Sequence, residues 1–301
     1  MSHTSKPVSQ STLTTLSFTV LALIAFAANS VFCRLALGAQ TIDAAGFTVI
    51  RLLSGAVVLY IILKSGSKSR RNKSAVAGSW IASLLLFLYA ITFSYAYLTL
   101  DTGTGALVLF GSVQITMIFV SLIKGSRLHV SEWLGVVLAF TGFVYLVLPN
   151  ASTPSVSGFI LMTIAGISWG MYTLKGRESV NPLIDTAYNF LRTVPMVLLV
   201  LIFTVFNMHY SAEGILLAVL SGVIASGIGY SIWYKALAGL AATQAAVVQL
   251  LVPVIAAIGG VVFVAEPITL RLTLSGLMIL GGILLVVAGR YYLSQRKIAK
   301  S

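Results

Sequence analysis

The chain is short of charge: of its 301 residues only 9% are Asp, Glu, Lys or Arg. A water-soluble globular domain carries about 25%, so a surface facing water on all sides cannot be assembled from this supply. A single cysteine, Cys33, excludes an intrachain disulfide and leaves the redox compartment unspecified. The three histidines and seven carboxylates form no His-Glu-x-x-His helix, and no Gly-x-Ser-x-Gly elbow is present. An enzyme is therefore not expected, nor is a cofactor or a metal. No polar stretch is long enough for the output domain of a membrane scaffold or sensor. No filter loop or ring of charge points to an ion channel.

What the chain has is apolar length. Hydrophobic residues make up 58% of it and the mean hydropathy is +1.00. A helix crosses the hydrocarbon with about 20 apolar residues. Ten stretches approach that length: Leu16–Leu37, Ala44–Leu63, Ala75–Leu98, Thr102–Ile123, Glu132–Leu148, Gly158–Leu174, Leu183–Phe206, Glu213–Tyr234, Thr243–Ala265 and Leu270–Tyr292. They predict an all-α membrane protein of ten transmembrane helices. The first begins like a signal peptide, with Lys6 ahead of it and Ala25-Phe26-Ala27 within it. Its hydrophobicity continues to Leu37, so an uncleaved helix is expected.

The separators are short and hold nearly all the charge. With the N-terminus inside, fifteen of the 19 Lys and Arg fall on the inner side. These are Lys6, the cluster Lys64, Lys68, Arg70, Arg71 and Lys73, the pairs Lys124 and Arg127, and Lys175 and Arg177, then Lys235, and finally Arg290, Arg296, Lys297 and Lys300. Only Arg34 and Arg271 fall outside, while Arg51 and Arg192 lie within spans. Cytoplasmic loops are enriched in Lys and Arg, so both termini are expected in the cytoplasm of a bacterial inner membrane. Topology thus accounts for the net charge of +12, and no nucleic-acid partner is implied.

The two halves repeat. Arg51 and Arg192 occupy matching places in the second and seventh spans. Phe26 and Trp169 each stand eight residues before an arginine, Arg34 and Arg177. The segment from Thr92 to Leu100 resembles that from Gly229 to Leu237. Five spans per repeat is an odd number, so the second repeat enters from the opposite face. Inverted repeats with a site near the midplane characterise many secondary transporters. The expected organisation is a tail over 1–15, a first repeat over 16–148, a linker over 149–157, a second repeat over 158–292 and a basic tail over 293–301.

Four elements carry a family resemblance: Gly229-Tyr230-Ser231-Ile232-Trp233-Tyr234-Lys235-Ala236-Leu237, the Ala-rich run from Ala241 to Ala246, Leu251-Val252-Pro253-Val254, and Ala265-Glu266-Pro267-Ile268. The sequence resembles the EamA family of the drug/metabolite transporter superfamily, and its aromatic amino-acid exporters in particular. The resemblance implies a ten-helix exporter with a central cavity lined by the first, third, fourth, sixth, eighth and ninth helices. Two departures stand in the first repeat. Phe26 replaces the usual tryptophan, and Lys124-Gly125-Ser126-Arg127 lacks the acid that the second repeat keeps as Glu266.

By these boundaries all seven carboxylates, including Asp43, Asp101 and Glu266, lie at span ends or in loops, and His3, His129 and His209 are peripheral. Intramembrane carboxylates and histidines build proton relays. Their absence from the middle predicts a uniporter. Arg51 and Arg192 each either hold a substrate carboxylate or lock the repeat by binding backbone carbonyls, and their symmetric placement favours the structural role.

The expected substrate-binding side chains are Asn29, Gln114 and Gln249, the amides within spans, together with Tyr89, Phe93, Trp169 and Tyr230. Tyr89, Phe93 and Tyr97 recur every fourth residue and share a helix face. The alternative for the amides is helix-to-helix hydrogen bonding, and for Tyr97 and Tyr234 an interfacial aromatic belt. Small-residue pairs, Ala241/Ala245, Ala242/Ala246 and Ala256/Gly260, with Gly276, Gly281 and Gly282, allow close helix approach. Pro253 removes a donor in mid-span and is the hinge candidate.

A neutral lining of amides and aromatics suits neutral or aromatic amino acids, exported by alternating access. The alternative within transporters is multidrug or other metabolite efflux by proton antiport. A phosphorylated sugar would call for basic residues in the cavity. A monomer is compatible with this reading.

Overall fold

The computed structural model describes residues 12–65, 77–125, 129–148, 154–177, 179–207, 209–237, 239–240 and 242–298. Lys6, Lys68, Arg70, Arg71, Lys73, Arg127, Glu178, Ala241, Lys300 and the linker segment 149–153 lie outside the described residues. The described chain is helical, and its lone extended feature is an isolated bridge between Ile42 and Tyr210.

The helices are α1 (Thr12–Gly38), α2 (Ala44–Ser65), α3 (Trp80–Ala96), α4 (Thr102–Ile123), α5 (Val130–Val147), α6 (Val156–Arg177), α7 (Pro182–Thr204), α8 (Ala212–Leu220), α9 (Gly229–Leu237), α10 (Ala242–Gln249), α11 (Val252–Val264) and α12 (Leu270–Ile298). Among the described residues, eight spans are long and apolar enough to cross a membrane. Two of these join pieces: α8 runs through a π-helical turn, Ser221–Ile228, into α9, and α10 and α11 flank a turn at Leu250 and Leu251. Two further apolar helices, Trp80–Ala96 and Glu132–Val147, are shorter. Large apolar side chains such as Leu134, Phe140, Ile202 and Phe203 are exposed on the outside of the bundle, as a lipid solvent requires.

Two departures from the expected spans have local causes. The third helix starts at Trp80, because Gly78 takes a positive φ of 71° and Ser79 then caps the helix by accepting from the Ala82 N–H. The ninth span is broken rather than bent. Pro253 sits buried in the first turn of α11, where its missing N–H has no partner to lose. Of the small residues in the last helix, Gly282 is at a contact: a Cβ there would meet the Gly135 carbonyl and the Ala139 amide of α5, while Gly281 faces open space.

Loop pairing fixes the two ends. At the predicted outer end, Asp43 caps α2 by accepting from Gly46 N–H at 2.8 Å and also accepts from His209 N–H at 3.2 Å, tying the α1–α2 connector to the one before α8. At the predicted inner end one face of α7 holds the loop before α3. Asp185 accepts from Gly78 N–H at 2.8 Å, Asn189 accepts from Ser79 N–H at 2.8 Å, and Arg192 donates to the Ala77 carbonyl at 2.7 Å. Residues spaced four and three apart share a helix face, so the three act as one clamp.

Candidate substrate site

A cavity of about 50 Å³ lies inside the bundle, lined by Phe26, Asn29 and Ser30 of α1, Tyr89 and Phe93 of α3, Leu109 and Phe110 of α4, Trp169 and Thr173 of α6, Ala225, Tyr230 and Trp233 of the π turn and α9, and Gln249 of α10. At about 10–15 Å³ per water, it holds a few waters and is smaller than an amino acid. Its rings form a continuous set. Trp169 stacks on Tyr230 and on Tyr172, each with centroids 5.2 Å apart and planes at 23°. Tyr89 meets Trp169 at 4.9 Å and Phe93 at 5.5 Å, and Phe26 meets Tyr230 and Trp233 at 5.8 Å. Among the described residues no Asp, Glu or His lines this cavity.

Of the side chains expected from sequence, Asn29, Tyr89, Phe93, Trp169, Tyr230 and Gln249 come together on this one wall. Gln114 does not. It is buried one helical turn beyond Phe110, and its Nε2 has no hydrogen-bond partner. The two arginines also part company. Arg192 lies away from the cavity in the loop clamp, over the Trp80 ring at 5.9 Å. Arg51 is 1% exposed and stands directly behind the cavity wall, with its guanidinium 5.0 Å from the Tyr89 ring and 4.9 Å from the Phe93 ring. Tyr97 is buried against Phe93 at 4.8 Å rather than belted at an interface. The Tyr234 hydroxyl is turned to Thr186 at 2.7 Å.

Different chemistry closes the bundle on either side of the cavity. Toward the predicted outer end, Arg34 donates from Nε to Glu266 at 2.8 Å, from Nη1 to the Tyr97 carbonyl at 3.2 Å and from Nη2 to Asp101 at 3.4 Å. Asp101 precedes α4 yet makes no cap bond. Glu266 supplies the cap instead, accepting from Thr102 N–H at 2.8 Å. The left-handed Ala265, with φ of 58°, turns the chain so that Glu266 can reach back. Desolvation, with the neighbouring Glu266 carboxylate, pushes the Asp101 carboxyl above its ordinary range. Toward the predicted inner end, Tyr172 donates to Thr186 at 3.3 Å and accepts from Asn189 at 3.4 Å, and Thr186 meets Tyr234. Beyond them lies a wider cleft of about 190 Å³ with Ser79, Lys175, Asp185 and Asn189 in its wall.

Neither network is legible as such along the chain. The Arg34–Glu266 pair is separated by 232 positions, and nothing local marks the two residues as partners. The one signal for Tyr172 was its place three residues after Trp169.

The EamA-like transporter family profile matches the chain twice, over residues 13–148 and 156–288. The chain is a member of the EamA-like transporter family. It is 46% identical to an uncharacterized protein of Pseudomonas aeruginosa over 276 residues, covering 92% of this chain and 95% of the relative. An "uncharacterized transporter" of Archaeoglobus fulgidus is 26% identical, with 74% of this chain and 81% of that one covered. The "uncharacterized transporter YoaV" of Bacillus subtilis is 25% identical, with coverages of 84% and 89%. A solved crystal structure shares the fold at a TM-score of 0.60 and 18% identity, covering 92% of this chain and 97% of its own. As an EamA-like protein the chain is a multi-pass membrane transporter.

Proposed function

We propose that the chain exports small neutral or aromatic amino acids across a bacterial inner membrane by alternating access, as a uniporter, through a cavity between two inverted five-helix repeats. The observation that carries this reading is the cavity itself: a ring of stacked aromatics interrupted by the amides Asn29 and Gln249 and free of carboxylates. Flat rings give an aromatic or apolar side chain stacking surface. Amides give a zwitterion's polar groups partners. Separate seals toward the two ends are what alternating access needs.

What the cavity wall lacks supports uniport. Antiport requires a group that titrates while exposed in turn to the two sides. Arginine stays protonated, and the carboxylates nearest the route, Glu266 and Asp101, are engaged by Arg34 at one end. Asp43, the other carboxylate considered from sequence, serves as a helix cap. In proteoliposomes, labelled phenylalanine is expected to equilibrate down its gradient at a rate indifferent to an imposed pH gradient. Uphill accumulation driven by that gradient and abolished by a protonophore would overturn uniport, with Glu266→Gln the first variant to examine.

The orientation has its own test. Cysteines at Ser69 and Ala151 in a Cys33-free background are expected to react from opposite faces of the membrane, Ala151 from the periplasm. Labelling of both from outside intact cells would sink the arrangement.

A further inference from the structure

We infer that Arg51, acting through Tyr89, makes the site select for a carboxylate on its substrate and against organic cations. The inference deepens the amino-acid reading above and rests on it.

Arg51 is a charge without a counter-charge. Its Nη2 donates to the Tyr89 hydroxyl at 2.9 Å, while Nη1, fully enclosed, has no hydrogen-bond partner. Arg34, by contrast, is paired with Glu266 and Asp101. Arg192, the repeat counterpart of Arg51, meets a backbone carbonyl, which Arg51 does not. A buried charge is costly unless paired, and the two rings beside Arg51 offset only part of that through their π faces. An anion arriving in the cavity supplies what is missing.

The connection to the cavity runs through one hydroxyl. Ser221 donates to Asn29 Oδ1 at 2.6 Å, which fixes the amide so that Nδ2 points to the Tyr89 oxygen at 3.2 Å. The phenol oxygen thus accepts from Asn29 and from Arg51 together. A tyrosine hydroxyl also carries one hydrogen to donate, and no acceptor for it occurs among the described residues. Tyr89 lines the cavity. Its O–H, polarised by the guanidinium behind it, is a donor prepared for a carboxylate oxygen, because hydrogen bonds involving ionised groups are the stronger ones and chained bonds reinforce one another.

The same arrangement argues against the other ligand that an aromatic box can take. Stacked rings attract organic cations through their π faces. Two of the rings here already face the Arg51 guanidinium at about 5 Å. A second cation in the cavity meets a like charge in a medium of low polarity.

The test uses the full chain in proteoliposomes and four probes that share a phenyl group: phenylalanine, phenylalaninamide, phenethylamine and 3-phenylpropionate. Wild-type protein is expected to favour the two carboxylates over the amide and the amine by about tenfold, the discrimination one charge-assisted hydrogen bond supplies. Arg51→Gln and Tyr89→Phe are each expected to collapse that ratio toward one, and Arg51→Lys to keep part of it. A purely structural Arg51 would lower all four fluxes together and leave the ratio intact, which would overturn the inference. Where Arg51→Gln yields no folded protein, Tyr89→Phe, which keeps ring and guanidinium, decides alone. Wild-type protein that moves phenylalanine and its amide equally overturns the inference but leaves amino-acid export standing. Wild-type protein that moves none of the four overturns both.

Discussion

Trp169→Ala and Tyr230→Ala are each expected to lower phenylalanine flux by about tenfold to a hundredfold while leaving a protein that inserts and elutes as wild type. Trp169 is clasped between Tyr172 and Tyr230, with both planes at 23° to its own. Tyr230 in turn meets Phe26 at 5.8 Å and Phe190 at 6.1 Å. An aromatic pair contributes about 0.5–1.5 kcal/mol beyond the area it buries, and alanine at either position removes more than one pair. Such truncation also replaces a defined slot with a loose void, so a ring-bearing substrate is no longer held in one orientation. Trp169→Phe, which restores a flat ring, is expected to recover most of the rate. Initial rates in proteoliposomes, normalised to inserted protein, measure the effect. Normal flux in both alanine variants would remove these rings from the site.

The second large effect is on assembly and involves two helices that do not line the cavity. Gly135→Leu or Gly282→Leu is expected to abolish or severely reduce the yield of folded protein, whereas Gly281→Leu, one residue away, is expected to behave nearly as wild type. A Cβ on Gly135 would collide with the Gly282 carbonyl and lie 2.8 Å from Val286, and a Cβ on Gly282 would collide with the Gly135 carbonyl and lie 2.6 Å from the Ala139 nitrogen. These obstacles are largely backbone and cannot rotate away. Overpacking of this kind costs about 1–3 kcal/mol when side chains can yield, and more when they cannot. Nothing lies within 4 Å of the Cβ position on Gly281. Detergent-solubilised yield and thermal melting separate the outcomes, and equal behaviour of Gly281→Leu and Gly282→Leu would refute the α5–α12 contact.

Much of this architecture is written in hydropathy, because a helix in lipid has to be apolar over its whole length. Most helix ends fall within a few residues of the apolar boundaries, and Thr102–Ile123 coincides with them. The breaks do not show in the same way. Leu250 and Leu251, where the ninth span parts, are as apolar as their neighbours, and the π turn over Ser221–Ile228 has no composition of its own. Periodicity found Tyr89 and Phe93 because residues on one helix share a face whatever surrounds them. It says nothing of Gln114, since a buried amide and a cavity-facing amide read alike along a chain. The symmetry of Arg51 and Arg192 does not extend to their partners. Repeated sequence gives two side chains the same starting point, but their partners come from segments that do not repeat: Ala77 for one and Tyr89 for the other.

The closures at the two ends differ in how they come apart. One guanidinium serves Glu266, the Tyr97 carbonyl and Asp101 at once, and Glu266 also caps α4. Arg34 cannot swing away from one of these acceptors while keeping the others, so that closure is lost cooperatively or not at all. The chain of Asn189, Tyr172, Thr186 and Tyr234 is built from separate side chains on three helices, joined by one hydrogen bond at each step. Such a chain unzips link by link, and the first link to go leaves the remainder standing.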